Sequence, residues 1–120
     1  MKINISQLGN VISDELDRYR EDVKQAVAES VKVVAADAAD DLRQTAPKDT
    51  GDYRASWTYK QDRRTGDAVV YAKAPEYRLT HLLEFGHVNR DGTRTAPEPH
   101  IKDARDRAED ELIEEVTKRL

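Results

Sequence analysis

His81, Glu84 and His87 stand three residues apart in the stretch YRLTHLLEFGH. All three are metal-ligand types. On a helix, residues three apart share a face and could hold one ion, whereas residues six apart rotate onto different faces. Gly86 is expected to break the helix before His87, so the third ligand is not aligned in advance. The zinc-hydrolase spacings HExxH and HxxEH are both absent, and no fourth ligand is evident. The plainer reading makes His81 and Glu84 polar positions beside a buried Leu82–Leu83 pair. His87 and His100 would then bond backbone near a loop or a helix start. No metal and no cofactor is expected.

Other chemistry is equally thin. Ser56 and Thr58 would alternate on the polar face of a strand, without the glycine-flanked elbow that exposes a serine nucleophile. Five glycines are scattered, and none builds a phosphate-cradling loop. The many carboxylates fall on helices, where a solvated face is the ordinary explanation. The sequence therefore reads as non-enzymatic. Arg54, Lys60, Arg63 and Arg64 gather positive charge on a predicted hairpin, with Asp62 and Asp67 interleaved. That mixture suits contact between subunits better than contact with nucleic acid, which asks for an unbroken basic face.

The elements that must carry these residues follow from composition and period. A chain of 120 residues suggests one domain spanning 1–120. It is 38% hydrophobic and 37% charged, against about 25% charged in an average domain. Such a chain either exposes much helix surface or completes its core with partners. Net charge is −4, with acidic ends and a basic middle, residues 51–97. There is no cysteine, hence no disulfide framework. The start, MKINISQLGNVISDEL, does not read as a signal peptide, and no run approaches the ~20 apolar residues that span a bilayer. No membrane contact is expected.

Residues 6–44 predict one long helix. Leu8, Ile12, Leu16, Tyr19, Val23, Val27, Val31, Val34, Ala38 and Leu42 recur every three or four positions. Ser6 is the expected N-cap, Gly9 a weak point, and Pro47 the stop. Pro47 to Gly51 reads as a turn, with Asp49 or Thr50 bonding local backbone. The period then becomes two. Tyr53, Ala55, Trp57 and Tyr59 are expected on one face of a strand, paired in a hairpin with residues 68–73. Tyr77–Phe85 predicts a short helix with Leu79, Leu82 and Leu83 inward and Gly86 as its cap. One or two short strands around the NRDG turn should follow. A last helix, 99–120, carries Ile101, Ala104, Ala108, Leu112, Val116 and Leu120, with Pro99 in its first turn. Glu114–Lys118 and Glu115–Arg119 are spaced as ion pairs on its exposed side. The class is α+β, with a long helix, a region 51–97 of small antiparallel sheet and short helix, and a C-terminal helix. The expected core is Tyr53, Trp57, Tyr71, Leu82, Leu83 and Phe85. Pro47, Gly51, Gly86, Pro97 and Pro99 are expected to set chain direction where helices meet sheet.

Three blocks carry a family resemblance. TAPKDTGDYRASW resembles a T-A-P-x-D-T-G-x-x-x-x-S block, YRLTHLLEFGH a Y-x-x-x-L-E-F/H-G block, and APEPHIKDARDRAEDEL a P-x-P-x-(I/L)-x-x-A block. In this order they are similar to tailed-phage head–tail joining or tail-completion proteins of siphovirus-like phages and prophages. Agreement covers about residues 45–115, and the first helix fits by position. The resemblance implies a neck subunit, six-fold in a ring with copies of itself. It implies head-closure, connector, tail-tube or tail-terminator proteins as neighbours, and assembly in the host cytoplasm. Phage DNA would pass through without sequence-specific binding. It supplies no catalytic residue and no cofactor. A tail terminator, a minor capsid protein, a nucleic-acid binder and a small metal-dependent enzyme are the alternatives.

Overall fold

The computed structural model describes residues 5–48 and 50–120, with side chains from residue 9 onward. Ser6, Leu8 and Asp49, singled out above, lie outside the described side chains. The first element, α1, is a helix over Ile5–Thr45. Its 41 residues correspond to about 60 Å at ~1.5 Å per residue. The molecule accordingly measures 84 × 23 × 23 Å, with a radius of gyration of 21.7 Å. A compact chain of this length would have a radius near ~14 Å.

After the α1 stop at Pro47 come a short helix α2 (Asp52–Ser56), strands β1 (Trp57–Gln61) and β2 (Ala68–Ala72), and a 3-10 turn at Glu76–Arg78. Helix α3 (Leu79–Phe85), strands β3 (His87–Val88) and β4 (Arg94–Thr95), and helix α4 (Ile101–Arg119) complete the chain. The fold is mixed helix and sheet. β1 and β2 pair antiparallel in the register Trp57↔Ala72 to Gln61↔Ala68. β3 and β4 form a separate two-stranded sheet around the NRDG turn.

Both α4 and the β1–β2 hairpin pack on α1. α4 runs antiparallel to it. Arg107 near the start of α4 meets Asp41 at 2.7 Å, and Arg119 at its end meets Glu29 at 3.8 Å. Small side chains allow this close approach. Ala26, Ser30, Ala35, Ala39 and Ala46 are all buried on α1, alongside Val34 and Leu42. Ser30 is fully buried, and its hydroxyl donates back to Ala26 O at 2.8 Å. The hairpin tip is pinned to the same helix. Gln61 Nε2 donates to Ala28 O at 2.8 Å, and a Cβ on Gly66 would stand 3.2 Å from the Ala28 Cβ.

The core is small. Leu42, Ala46, Tyr53, Trp57, Ala72 and Ala104 form it, with Val70, Leu83 and Ile101 packed against them. Two aromatic side chains of ~150–250 Å² each supply most of its large apolar surface.

Several sequence expectations change. Residues 52–56 are helical, so Tyr53 stands on α2 and the strand begins at Trp57. Gly51, at φ 96°, swings the chain straight from the turn into that helix. Ala55 is exposed and Ser56 is buried in its place. Leu79, expected inward, and Leu82 and Phe85, expected in the core, are exposed, because α3 turns Leu83 and Glu84 inward. Tyr71 is only half-buried. Finally, α4 starts at Ile101, so Pro99 precedes it instead of occupying its first turn.

Candidate functional site

The joint between α3 and α4 is built around a buried carboxylate. α4 starts with no local cap, since the His100 side chain makes none. Helices leave their first N–H groups without intrahelical partners. Glu84, sixteen residues upstream, supplies the acceptors. Its Oε1 accepts from His100 N at 2.8 Å and Ile101 N at 2.9 Å, and its Oε2 accepts from Lys102 N at 3.1 Å. The negative charge also sits at the positive end of the helix dipole. Burial pushes the Glu84 carboxyl up, but the three N–H donors and His100 outweigh it and hold it below its ordinary range.

His100 extends the network. Its Nδ1 lies 2.9 Å from Glu98 O and 3.3 Å from Glu84 Oε1. Both are acceptors only, so Nδ1 carries the hydrogen. Its Nε2 is 2.7 Å from the Tyr53 hydroxyl. Tyr53, Trp57 and His100 pack edge to face, with ring centroids 5.5–6.3 Å apart. Burial first, and then the Glu84 charge, raise the Tyr53 hydroxyl to about 12, so it stays protonated. Every polar side-chain atom of Glu84 and His100 is thus engaged within the protein. Their chemistry is structural, and the network fixes how α2, α3 and α4 meet.

The chain reversals around this network depend on glycine and proline. Gly86 is buried at φ 72°, ψ 177°, a region almost reserved for glycine. A Cβ there would stand 2.5 Å from Thr95 O and 3.0 Å from Pro97 N. Just beyond, Glu98 N donates to Leu83 O at 2.7 Å. Pro47 is half-buried behind α1, Gly51 caps α2, and Pro99 is exposed just before His100.

The structure separates the His81–Glu84–His87 trio. Glu84 faces α4, while His81 is exposed and lies 4.9 Å from the Phe85 ring. His87 is half-buried, and its Nδ1 has no hydrogen-bond partner rather than a backbone one. Among the described residues, no group of three or more His, Cys, Asp or Glu could hold a metal ion.

The four basic residues also part company. Arg54 lies on α2, and its Nε donates to Ala46 O, closing the C-terminus of α1. Lys60 stands over the Tyr71 ring at 5.4 Å. Arg63 and Arg64 are exposed at the hairpin tip. On α4, Glu115 rather than Glu114 faces Lys118, at 3.5 Å. The Glu115–Arg119 pair does not sit apart on the exposed side, because Arg119 bridges to Glu29 and Ser30 of α1. In the same α1–α4 seam, Glu111 shares a hydrogen bond with Asp37. That bond, burial and the neighbouring carboxylates raise Glu111 to about 7.

Several large apolar side chains remain uncovered. α4 ends level with Ser30, yet α1 extends back from there to Ile5, about seven further turns. Ile12, Leu16, Tyr19 and Val27 are exposed there, with Leu16 at 59% and Tyr19 at 67%. On α3, Leu79, Leu82 and Phe85 face outward, joined by Tyr77 and Val88. Between these regions an open cavity of about 480 Å³ is lined by Leu42, Trp57, Tyr71, Tyr77, Ile101 and Ala108.

Comparison with known proteins gives one family. The family described as "Bacteriophage HK97-gp10, putative tail-component" matches residues 10–86. The match takes in α1 from Asn10 onward and stops at Gly86, before the proline block that precedes α4. No curated protein and no solved structure matches the chain.

Proposed function

Because the chain belongs to the HK97-gp10-like family of phage tail components, we propose that it works at the junction of head and tail. There it is a structural subunit that closes a ring with copies of itself. The carrying observation is the uncovered apolar surface on two separate parts of one small molecule. Monomers rarely leave contiguous apolar patches unused. Here α1 exposes Ile12, Leu16 and Tyr19, while α3 exposes Leu79, Leu82 and Phe85. Two dissimilar surfaces give each copy two dissimilar contacts, and head-to-tail contacts of that kind close into rings. Six copies, with head-closure or connector proteins on one side and tail-tube or tail-terminator proteins on the other, is the arrangement this reading favours. The acidic helices would repel the DNA backbone and let it slide past. No helix among the described residues is long and apolar enough to cross a membrane.

Cryo-electron microscopy of the particle tests the placement. A ring of this chain between the portal side and the tail tube is expected. Its absence from infectious particles, or density at the tail tip or on the capsid surface, would refute the placement.

A further inference from the structure

We propose that the projecting part of α1, residues 9–25, docks by its apolar stripe into the open cavity between α1, β2 and α4 of a second copy. This deepens the ring reading by naming the contact, and it rests on that reading only for the closure of the ring.

The stripe is the continuation of an existing interface. Ile12, Leu16, Tyr19 and Val23 share the helix face that carries Ala26 and Ser30, the positions buried level with the end of α4. The hairpin tip reaches α1 as far as Glu21, Lys24 and Gln25, and among the described residues no element covers Ile12, Leu16 or Tyr19. A straight helix of this length cannot bend back to the cavity of its own chain. Leu16 and Ala38, which lines the cavity, are about 33 Å apart along the axis at ~1.5 Å per residue.

The cavity has the complementary character. Its walls are apolar and aromatic, and its mouth is open. Its size falls within the ~300–1,000 Å³ of ordinary binding pockets. Arg105 lines it, and Arg78 stands beside the Tyr77 ring on the same side. The arm carries Asp14, Glu15, Asp17, Glu21 and Asp22 against Arg18, Arg20 and Lys24. The region 51–97 that forms one wall is net basic, with eight Lys/Arg against six Asp/Glu. Two acidic arms would repel each other if paired together, and an acidic arm would repel the outer face of α4. An arm in a neighbour's cavity meets Arg105, whose own-helix partner Glu109 is a loose one at 3.8 Å. Charge of this kind steers orientation and register more than it adds raw affinity.

The protein has no cysteine, so introduced cysteines report contacts without background. Full-length Ile12→Cys, Leu16→Cys and Tyr19→Cys variants are each mixed with full-length Ala108→Cys and oxidised at several concentrations. Disulfides form only when the Cα atoms approach within ~7 Å. Mixed dimers between at least one arm variant and Ala108→Cys are expected, and Arg105→Glu in the acceptor copy should cut their yield several-fold at low salt. Homotypic arm–arm dimers as the main product would overturn the proposal. So would mixed yields no higher than with Asp91→Cys in the remote NRDG turn, provided circular dichroism shows the variants folded. Either failure leaves the position in the particle, tested separately, untouched.

Discussion

Glu84 and His100 meet twice: one carboxylate oxygen accepts the His100 backbone N–H at 2.8 Å and lies 3.3 Å from the same residue's ring Nδ1. A single glutamate therefore closes the start of α4, orients the imidazole and, through it, engages the Tyr53 hydroxyl. Replacing Glu84 by Ala should remove three hydrogen bonds to a buried charge. Hydrogen bonds to charged groups are worth about 1.5–3 kcal/mol each, with strong overlap inside one network. We expect a loss of about 3 kcal/mol by urea unfolding, and a smaller loss for Glu84→Gln, which keeps one acceptor oxygen. Wild-type stability in Glu84→Ala would show that α4 does not depend on this cap.

Two of the shifted carboxyls, Glu84 and Glu111, move in opposite directions and act on stability with opposite signs. Glu84 is lowered below its ordinary 4.5, so its contribution is present above that value and disappears as pH falls through the folded pKa. Glu111 is raised to about 7. The folded chain then holds a proton that the unfolded chain releases near 4.5, and stability falls as pH rises from about 4.5 to 7. Glu111→Gln removes that loss. Its melting temperature should exceed that of wild type at pH 8 and match or fall below it at pH 4. A constant difference at both pH values would show that Glu111 does not titrate as described.

Gly86 and Gly92 separate backbone strain from crowding. Both have positive φ, 72° and 87°. A Cβ at Gly92 meets nothing within 4 Å, whereas at Gly86 it strikes the Thr95 carbonyl. Gly92→Ala should cost about 1–2 kcal/mol, the price of left-handed backbone alone. Gly86→Ala should cost more, because its ψ of 177° adds a backbone region almost closed to other residues and the Thr95 and Pro97 backbone must also shift. Equal costs in thermal unfolding would contradict the close approach of Gly86 to Thr95 and Pro97.

Much of this fold was legible in the sequence because periodicity is insensitive to neighbours. The Ala- and Val-rich spacing of α1, the β2 run and the NRDG turn each declare themselves locally. Tyr53 and Trp57 share an inward face whether the period is 2 or 3.6, since four residues complete two strand steps or about one helical turn. For the same reason their spacing could not tell α2 from a strand. Leu82 and Phe85 are not legible as surface residues, because apolar side chains ordinarily face inward and this molecule leaves several outside. Glu84 was the converse case. A glutamate beside Leu83 gave no local sign of its partner sixteen residues away. The available hint was negative: APEPHI offers no Ser, Thr, Asp or Asn directly before α4, so some other acceptor had to arrive.

The boundary of the folded core gives another test. Tyr19 lies on the uncovered arm, and Trp57 lies in the core at 4% exposure. Tyr19→Ser should leave the unfolding free energy of the isolated chain within about 0.5 kcal/mol of wild type. Trp57→Ala should cost about 3–5 kcal/mol. A large effect of Tyr19→Ser at low protein concentration would mean that the arm is already packed within one chain.

Hydrogen exchange of the arm is the most direct measure of whether neighbours complete this protein's burial. Amides of residues 9–25 should exchange rapidly in the free chain and at least about 100-fold more slowly in purified particles, as local opening is suppressed by packing. Equal protection of that segment in both states would contradict the account.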